Sequence, residues 1–317
     1  MIYLSEENYQ KQMDEICVPY LLSRLEDGYF CGWDGHSLHY QIYRADAPRG
    51  TVTICHGFTE SIPKYRELIF MMLQDGLNVC AYEHRGHGWS YREVENYQYT
   101  HLRDFDEYVQ DLDCFIAQKV SGLPGPHYLF THSMGGAVGA LWLEKGGSFF
   151  SRAALSSPMI APARMGLPLW FCKALFGSAV FLGFGKKRLF TYDKERGEHE
   201  WAPVGCDTSK ARFDCNEANK RRFRDCSNFA PTYGWINQGV RVTKKILAEG
   251  APEEIAVPVC VFNAELDDTV LEPEQRSFIG RVPQGKFVQI EKATHTIFYC
   301  VDEVAHPYFD ALLSWLR

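Results

Sequence analysis

The chain has no CxxC pair and no grouping of cysteine and histidine at metal-ligand spacing. Its eleven cysteines stand singly between Cys17 and Cys300, which argues against the common zinc frameworks, and no metal is expected. An unbroken apolar run of spanning length, about 20 residues, is also missing. The longest candidate, residues 166–184, is interrupted by Pro168, Lys173, Gly177 and Gly183. Positive charge is scarce: 33 Lys and Arg against 40 Asp and Glu leave a net charge of −7. That balance disfavours a nucleic-acid partner. Residues 1–7 carry neither a basic nor an apolar leader, so no export signal is expected. Single cysteines inside apolar runs, such as Cys55, Cys80 and Cys260, act as small hydrophobes and point to a reducing compartment. The expected location is the cytoplasm.

What is present suits a folded α/β protein. With 317 residues, 46% hydrophobic and 23% charged, the chain has enough length for a large core and an elaboration on it. Residues 29–43 alternate around the turn Trp33-Asp34-Gly35-His36 and predict an antiparallel hairpin. Short apolar runs at 51–55, 78–82, 127–130, 153–155, 257–262 and 286–290 follow, separated by helical stretches. This alternation predicts a mostly parallel sheet with helices on both faces. The clearest helix covers 103–120, with Phe105, Tyr108, Val109, Leu112, Phe115 and Ile116 on one side and a capping box from Asp104 and Glu107. Between 158 and 235 the strand signals stop. A structureless loop of that length is uncommon, so residues 158–235 are expected to be an inserted helical cap, with 1–157 and 236–317 as the two parts of one core.

The segment His127-Tyr128-Leu129-Phe130-Thr131-His132-Ser133-Met134-Gly135-Gly136 runs a strand straight into a helix, with a serine at the junction. Such a turn strains the serine backbone and lifts its hydroxyl clear of the sheet, and small neighbours such as Gly135 leave it room. Thr131 departs from the small residue usual on the other side. A serine nucleophile needs a base and an orienting acid, following it in chain order. The strand ending in Glu265-Leu266-Asp267-Asp268 offers the acid, Asp267 first, with Asp268 and Glu265 as alternatives. His295, after the next strand, is the expected general base. Gly57 in His56-Gly57-Phe58-Thr59-Glu60 is expected to turn the backbone sharply. The amides of Phe58 and Met134 are then the expected oxyanion hole. The loop Glu83-His84-Arg85-Gly86-His87-Gly88-Trp89-Ser90 is read as support for the site, and His132 as structural.

Together, His56-Gly57-Phe58-Thr59-Glu60, the 83–90 loop and His132-Ser133-Met134-Gly135-Gly136 resemble the α/β-hydrolase family of lysophospholipases and monoacylglycerol lipases. The matching patterns there are H-G-x-x-E, D-x-R-G-H-G-x-S and G-H-S-M-G-G, from which Glu83 and Thr131 depart. Asp207-Thr208-Ser209, Arg212-Phe213 and Pro231-Thr232-Tyr233-Gly234-Trp235 are similar to segments of its bacterial lysophospholipase branch. The resemblance implies an α/β-hydrolase fold and a serine carboxylic-ester hydrolase without cofactor, working through Ser133, His295 and Asp267 on a monoacylglycerol or a lysophospholipid. A small-ester carboxylesterase, an aminopeptidase of the same fold and a non-catalytic binder of hydrophobic ligands are the other readings.

The cap sequence bears on substrate. Its apolar residues, with Met159, Met165, Trp170, Phe171 and Tyr233 as expected substrate contacts, suit an acyl-chain tunnel or transient contact with a membrane surface, or else the cap's own core. The basic run Lys210, Arg212, Lys220, Arg221, Arg222 and Arg224 suits an anionic head group or a solvated helix face.

Overall fold

The computed structural model describes residues 1–163, 167–195, 197, 201 and 208–317. Eight strands form one sheet: β1 Leu25–Cys31, β2 Ser37–Tyr43, β3 Gly50–Cys55, β4 Leu77–Tyr82, β5 His127–His132, β6 Arg152–Ser156, β7 Val259–Ala264 and β8 Gly285–Ile290. Their order across the sheet is β1-β2-β4-β3-β5-β6-β7-β8. The β1–β2 hairpin is antiparallel and β2 meets β4 antiparallel, while every pairing from β4 to β8 is parallel. β3, β4 and β7 are buried along their whole length, which is why they read as continuous apolar runs instead of alternating ones. The order puts the ends of β3, β4, β5, β7 and β8 along one edge, where open α/β sheets carry their sites.

Two of the shifts in element boundaries have a local cause. β7 starts two residues late, at Val259, because Pro258 has no N–H to give the ladder. The long helix starts at Asp106 and runs to Phe115, then widens into a π turn over Ile116–Val120. Asp104 Oδ1 accepts from the Asp106 amide at 3.0 Å, but Glu107 lies 3.6 Å from Arg85 and does not reach back. The start is capped on one side only.

Between β6 and β7 lie the helices Leu169–Ala179, Lys210–Arg222 and Tyr233–Ile246, the last continuing beyond residue 235. A short strand, Ala230–Pro231, pairs in parallel with Tyr99–Thr100, where the sequence carries no strand signal; two residues are too few to show a period. Three cations of the basic run are engaged within the fold. Arg212 is fully buried, with Nε and Nη2 each 2.8 Å from the Glu67 carboxylate and Nη1 2.9 Å from Asp302. It also donates to the carbonyls of Leu4 and Cys300, which ties the helix Lys210–Arg222 to the core. Lys210 pairs with Asp214, and Arg224 sits over the Tyr97 ring.

No helix among the described residues is long and apolar enough to cross a membrane. The ten described cysteines are all free. Burial pushes the Cys55 and Cys260 thiols up to about 12, which keeps them protonated and inert.

Candidate active site

Ser133 sits between β5 and the helix Met134–Leu143 with φ +51° and ψ −118°, a strained conformation for a residue with a side chain. Its carbonyl accepts from the amides of Gly136 and Met159, each at 2.8 Å, which hold the turn. The helix then passes so close to β3 that a Cβ on Gly135 would lie 2.2 Å from the Cys55 carbonyl oxygen. Glycine is required there by contact.

His295 Nε2 lies 2.8 Å from Ser133 Oγ, and His295 Nδ1 lies 2.7 Å from Asp267 Oδ2. The structure therefore brings together the three residues expected from the sequence, each at the C-terminal end of a different strand. It also separates the candidate acids. Glu265 accepts from the Lys292 amide at 2.7 Å and Asp268 from the Thr269 hydroxyl at 3.1 Å, so neither meets the imidazole. The Asp267 side chain is 3% exposed. Burial opposes its charged form, but His295 and the amides of Thr269 and Val270 hold its carboxyl below the usual range. A carboxylate kept ionised beside Nδ1 selects the tautomer whose Nε2 accepts the serine proton.

The turn His56-Gly57-Phe58-Thr59-Glu60 is held by contacts that the sequence does not reveal. The left-handed residue is Thr59, at φ +59°, and not Gly57. Gly57 is needed for close approach: a Cβ there would lie 2.8 Å from Glu60 Oε2 and 3.0 Å from His132 Nδ1. Glu60 is buried and receives the Gly57 amide at 2.6 Å, the Tyr65 hydroxyl, Lys64 Nζ and His132 Nδ1 at 3.2 Å. Burial works against the Glu60 charge, yet Lys64 and His132 keep its carboxyl well below the usual range. On its other side His132 Nε2 lies 3.2 Å from the His295 carbonyl, and Lys64 Nζ bonds Thr296 Oγ1 at 3.2 Å. One buried carboxylate thus links the Gly57 turn, the residue before Ser133 and the loop carrying His295. Only the Glu60/Lys64 spacing of four hinted at this in the sequence.

Each of the two departures from the family pattern faces a glycine. Thr131 Cγ2 would meet a Cβ on Gly139 at 2.6 Å, and the Glu83 carboxyl carbon would meet one on Gly88 at 2.0 Å. The longer Glu83 side chain is also fully used, accepting from the amides of Ile62 and Trp89 and facing His39 Nδ1 at 3.1 Å. In the same loop, burial drives the His84 and His87 imidazoles well below the usual range. His56 Nδ1 donates to the Gly57 carbonyl at 2.8 Å and Nε2 accepts from the His84 amide at 3.0 Å, so the 83–90 loop braces the His56–Gly57 turn.

The expected substrate contacts fall in different places. Met159 is buried beside the serine turn, and Tyr233 is half-buried at the start of its helix. Met165 and Asp207 lie outside the described residues. Trp170 and Phe171 are 71% and 40% exposed, on the outer surface and not in a tunnel. An apolar wall that the sequence did not single out is formed by Phe58 and Trp235, whose rings are 4.0 Å apart. Among the described residues no set of His, Cys, Asp and Glu is grouped to hold a metal.

Comparison with known proteins agrees with this architecture. The family model described as serine aminopeptidase, S33, matches residues 46–300. Lysophospholipase L2 of Escherichia coli K12 is 27% identical over 314 residues, covering 92% of this chain and 87% of that protein. A monoacylglycerol lipase of Mycolicibacterium smegmatis is 31% identical over 133 residues, 41% of this chain and 46% of that one. Among solved structures, a soluble variant of monoglyceride lipase from Saccharomyces cerevisiae superposes with a TM-score of 0.71 at 19% identity, covering 93% of this chain and 95% of that one. A carboxyl esterase from Bacillus coagulans gives 0.71 at 19% identity, over 92% and 98%. With an eight-stranded sheet in this order, a serine on the β5 turn and a family match over most of its length, the chain belongs to the S33 serine aminopeptidase family of α/β-hydrolases and is a hydrolytic enzyme.

Proposed function

We propose that the protein is a serine carboxylic-ester hydrolase that releases a fatty acid from a monoacyl lipid, either a monoacylglycerol or a lysophospholipid. The observation that carries the reading is the continuous chain from Ser133 Oγ through His295 to Asp267. Ser133 Oγ attacks the ester carbonyl carbon while His295 Nε2 takes its proton. The developing oxyanion is received by the amides of Phe58 and Met134, a contribution of about 3 kcal/mol for each donor. As the bond to the alcohol oxygen breaks, His295 returns the proton to that oxygen, leaving an acyl-enzyme. Water then enters by the same route, and the fatty acid leaves. No cofactor takes part in these steps.

The surroundings support a lipid ester. A cavity of about 490 Å³ borders His295 and is lined by hydrogen-bonding groups of Thr208, Asn216, Asp268 and Thr294 and by the apolar Phe213 and Leu266. Such a mixed lining suits an ester that joins an acyl chain to a hydroxyl-bearing alcohol. Met159, Phe58 and Trp235 supply apolar surface near the serine for the acyl chain. Residues 158–235 act as the cap over this edge and as the part that touches lipid surfaces. Glu60, the carboxylate on which an aminopeptidase reading would rest, is occupied by Lys64, Tyr65, His132 and Gly57. Scattered cysteines, free among the described residues, favour the cytoplasm.

A panel of p-nitrophenyl esters, monoacylglycerols and lysophospholipids of increasing chain length tests the reading. Long-chain monoacyl lipids are expected to give the highest kcat/KM. A preference for acetyl esters would replace it with a small-ester carboxylesterase.

A further inference from the structure

His39, on β2, lies between two carboxyl groups. It is buried, with Nδ1 3.1 Å from Glu83 Oε2 and Nε2 3.0 Å from Asp27 Oδ2. A neutral imidazole has one N–H, so in that form one nitrogen would set its lone pair against a carboxylate oxygen. The doubly protonated ring gives each carboxylate a hydrogen, and both bonds are then charge-assisted. Burial opposes the charged ring, but Glu83 and Asp27 raise His39 above its ordinary value. The rings of Tyr29 and Trp89 stand edge-on to it, their centres 5.4 and 5.1 Å from its own. The other titratable groups close to Glu83 do not take over this charge. Arg92 donates to the carbonyls of Gly88 and Asp225, and burial holds Tyr43, His56 and Cys226 in their neutral forms.

Glu83 carries the contact onward. Fully buried, it accepts from the Ile62 amide through Oε1 at 3.2 Å and from the Trp89 amide through Oε2 at 2.6 Å. Ile62 opens the 3₁₀ turn Ile62–Tyr65, whose Lys64 and Tyr65 hold Glu60 against the Gly57 amide. Trp89 belongs to the 83–90 loop, whose His84 amide reaches the Gly57 carbonyl through His56. One carboxyl group therefore grips two segments that converge on the turn carrying Phe58. The backbone repeats the link: the Glu83 amide donates to the His39 carbonyl, and the His39 amide to Ser90 Oγ, each at 2.9 Å. Glu83 is also where the chain departs from the family's aspartate, and His39 is a group that the longer side chain meets.

We propose that His39 is a positioning residue: doubly protonated between Asp27 and Glu83, it fixes Glu83 on the Ile62 and Trp89 amides and so holds the Phe58 amide where the oxyanion develops. His39 itself touches no substrate. The inference rests on the hydrolytic mechanism proposed above and not on the choice of lipid. Because the charged ring is the competent form, kcat falls as pH rises through the raised His39 value. His295 supplies the opposite limb, since it must be neutral to take the Ser133 proton.

Steady-state kinetics on a soluble p-nitrophenyl ester from about pH 5 to about pH 9, with NMR titration of the imidazoles, tests this. Wild-type kcat is expected to be bell-shaped, its alkaline limb falling where His39 titrates, above the ordinary histidine value. His39→Gln is expected to lower kcat by about 10–100-fold at neutral pH with KM little changed, and to lose the alkaline limb. Glu83→Gln should do the same, and the double variant should cost no more than about twofold beyond either. The wild-type comparison of titration with kcat holds even where a variant does not fold. A His39 that titrates at or below the ordinary value would overturn the proposal, as would wild-type kcat, or an unchanged alkaline limb, in His39→Gln. A wild type that turns over no ester would remove the hydrolase reading and this inference with it; turnover with an alkaline limb indifferent to His39 would remove this inference alone.

Discussion

Gly139 faces Thr131 across the strand and helix that carry the serine, so close that a Cβ at position 139 would stand 2.6 Å from Thr131 Cγ2. Thr131 is fully buried on β5, and its branched side chain has little freedom to turn away. Gly139→Ala alone is expected to cost about 1–3 kcal/mol by overpacking and to lower kcat by shifting the serine turn. Adding Thr131→Gly should restore much of both. Denaturant midpoints and kcat for the two single variants and the double variant give the coupling, expected at about 1 kcal/mol or more.

The acid assignment rests on distance. Asp267→Asn keeps the shape but removes the carboxylate that fixes the His295 tautomer, and a fall in kcat on the order of 10⁴ is expected. Asp268→Asn, at an exposed position whose carboxylate accepts from the Thr269 hydroxyl and not from the imidazole, should change kcat by less than about threefold. Steady-state kinetics on one soluble ester decides. Loss of turnover in the second variant with retention in the first would reverse the assignment.

Glu60 has a pH signature. Its folded carboxyl is held well below the unfolded value, so its contribution to stability is fully present above about pH 4.5 and disappears as pH falls through the lowered folded value. Glu60→Gln should therefore cost about 3 kcal/mol or more at pH 7, since Lys64 and His132 are left without their counter-charge. Urea unfolding between pH 3 and 7 should show a smaller variant-to-wild-type difference toward the acid end.

Glu144 gives the opposite sign. Burial pushes its carboxyl up to about 8, with Arg281 opposing, and Oε1 is buried without a partner among the described residues. The protonated form is favoured in the fold, so stability is lost as pH rises from the unfolded value near 4.5 toward 8. Glu144→Gln should raise Tm by roughly 2–4 °C at pH 9 and have little effect at pH 4. Thermal melts at the two values check it.

The sheet was readable because its central strands are buried on both faces and separated by periodic helices, and the Ser133, Asp267 and His295 positions because each lies at a strand end in chain order. Three features were less readable, for physical reasons. Glu60 acts through neighbours at positions 57, 64, 65 and 132, contacts that only the tertiary fold assembles. The two-residue strand Ala230–Pro231 is too short to carry a pattern. Arg212 sits in a run of like charges that suggests a solvated face, yet it is buried because Glu67 and Asp302 come from distant parts of the chain. The same gap misplaced Trp170 and Phe171: the sequence shows how apolar a helix is but not which side the fold leaves open.

The central claim is that Ser133 is an activated nucleophile. Labelling the folded protein with a fluorophosphonate and mapping the adduct by peptide mass spectrometry tests it most directly. The account predicts a single adduct on Ser133, abolished by Ser133→Ala and slowed on the order of 10³-fold or more by His295→Ala. Folded protein that carries no adduct on Ser133 would contradict it.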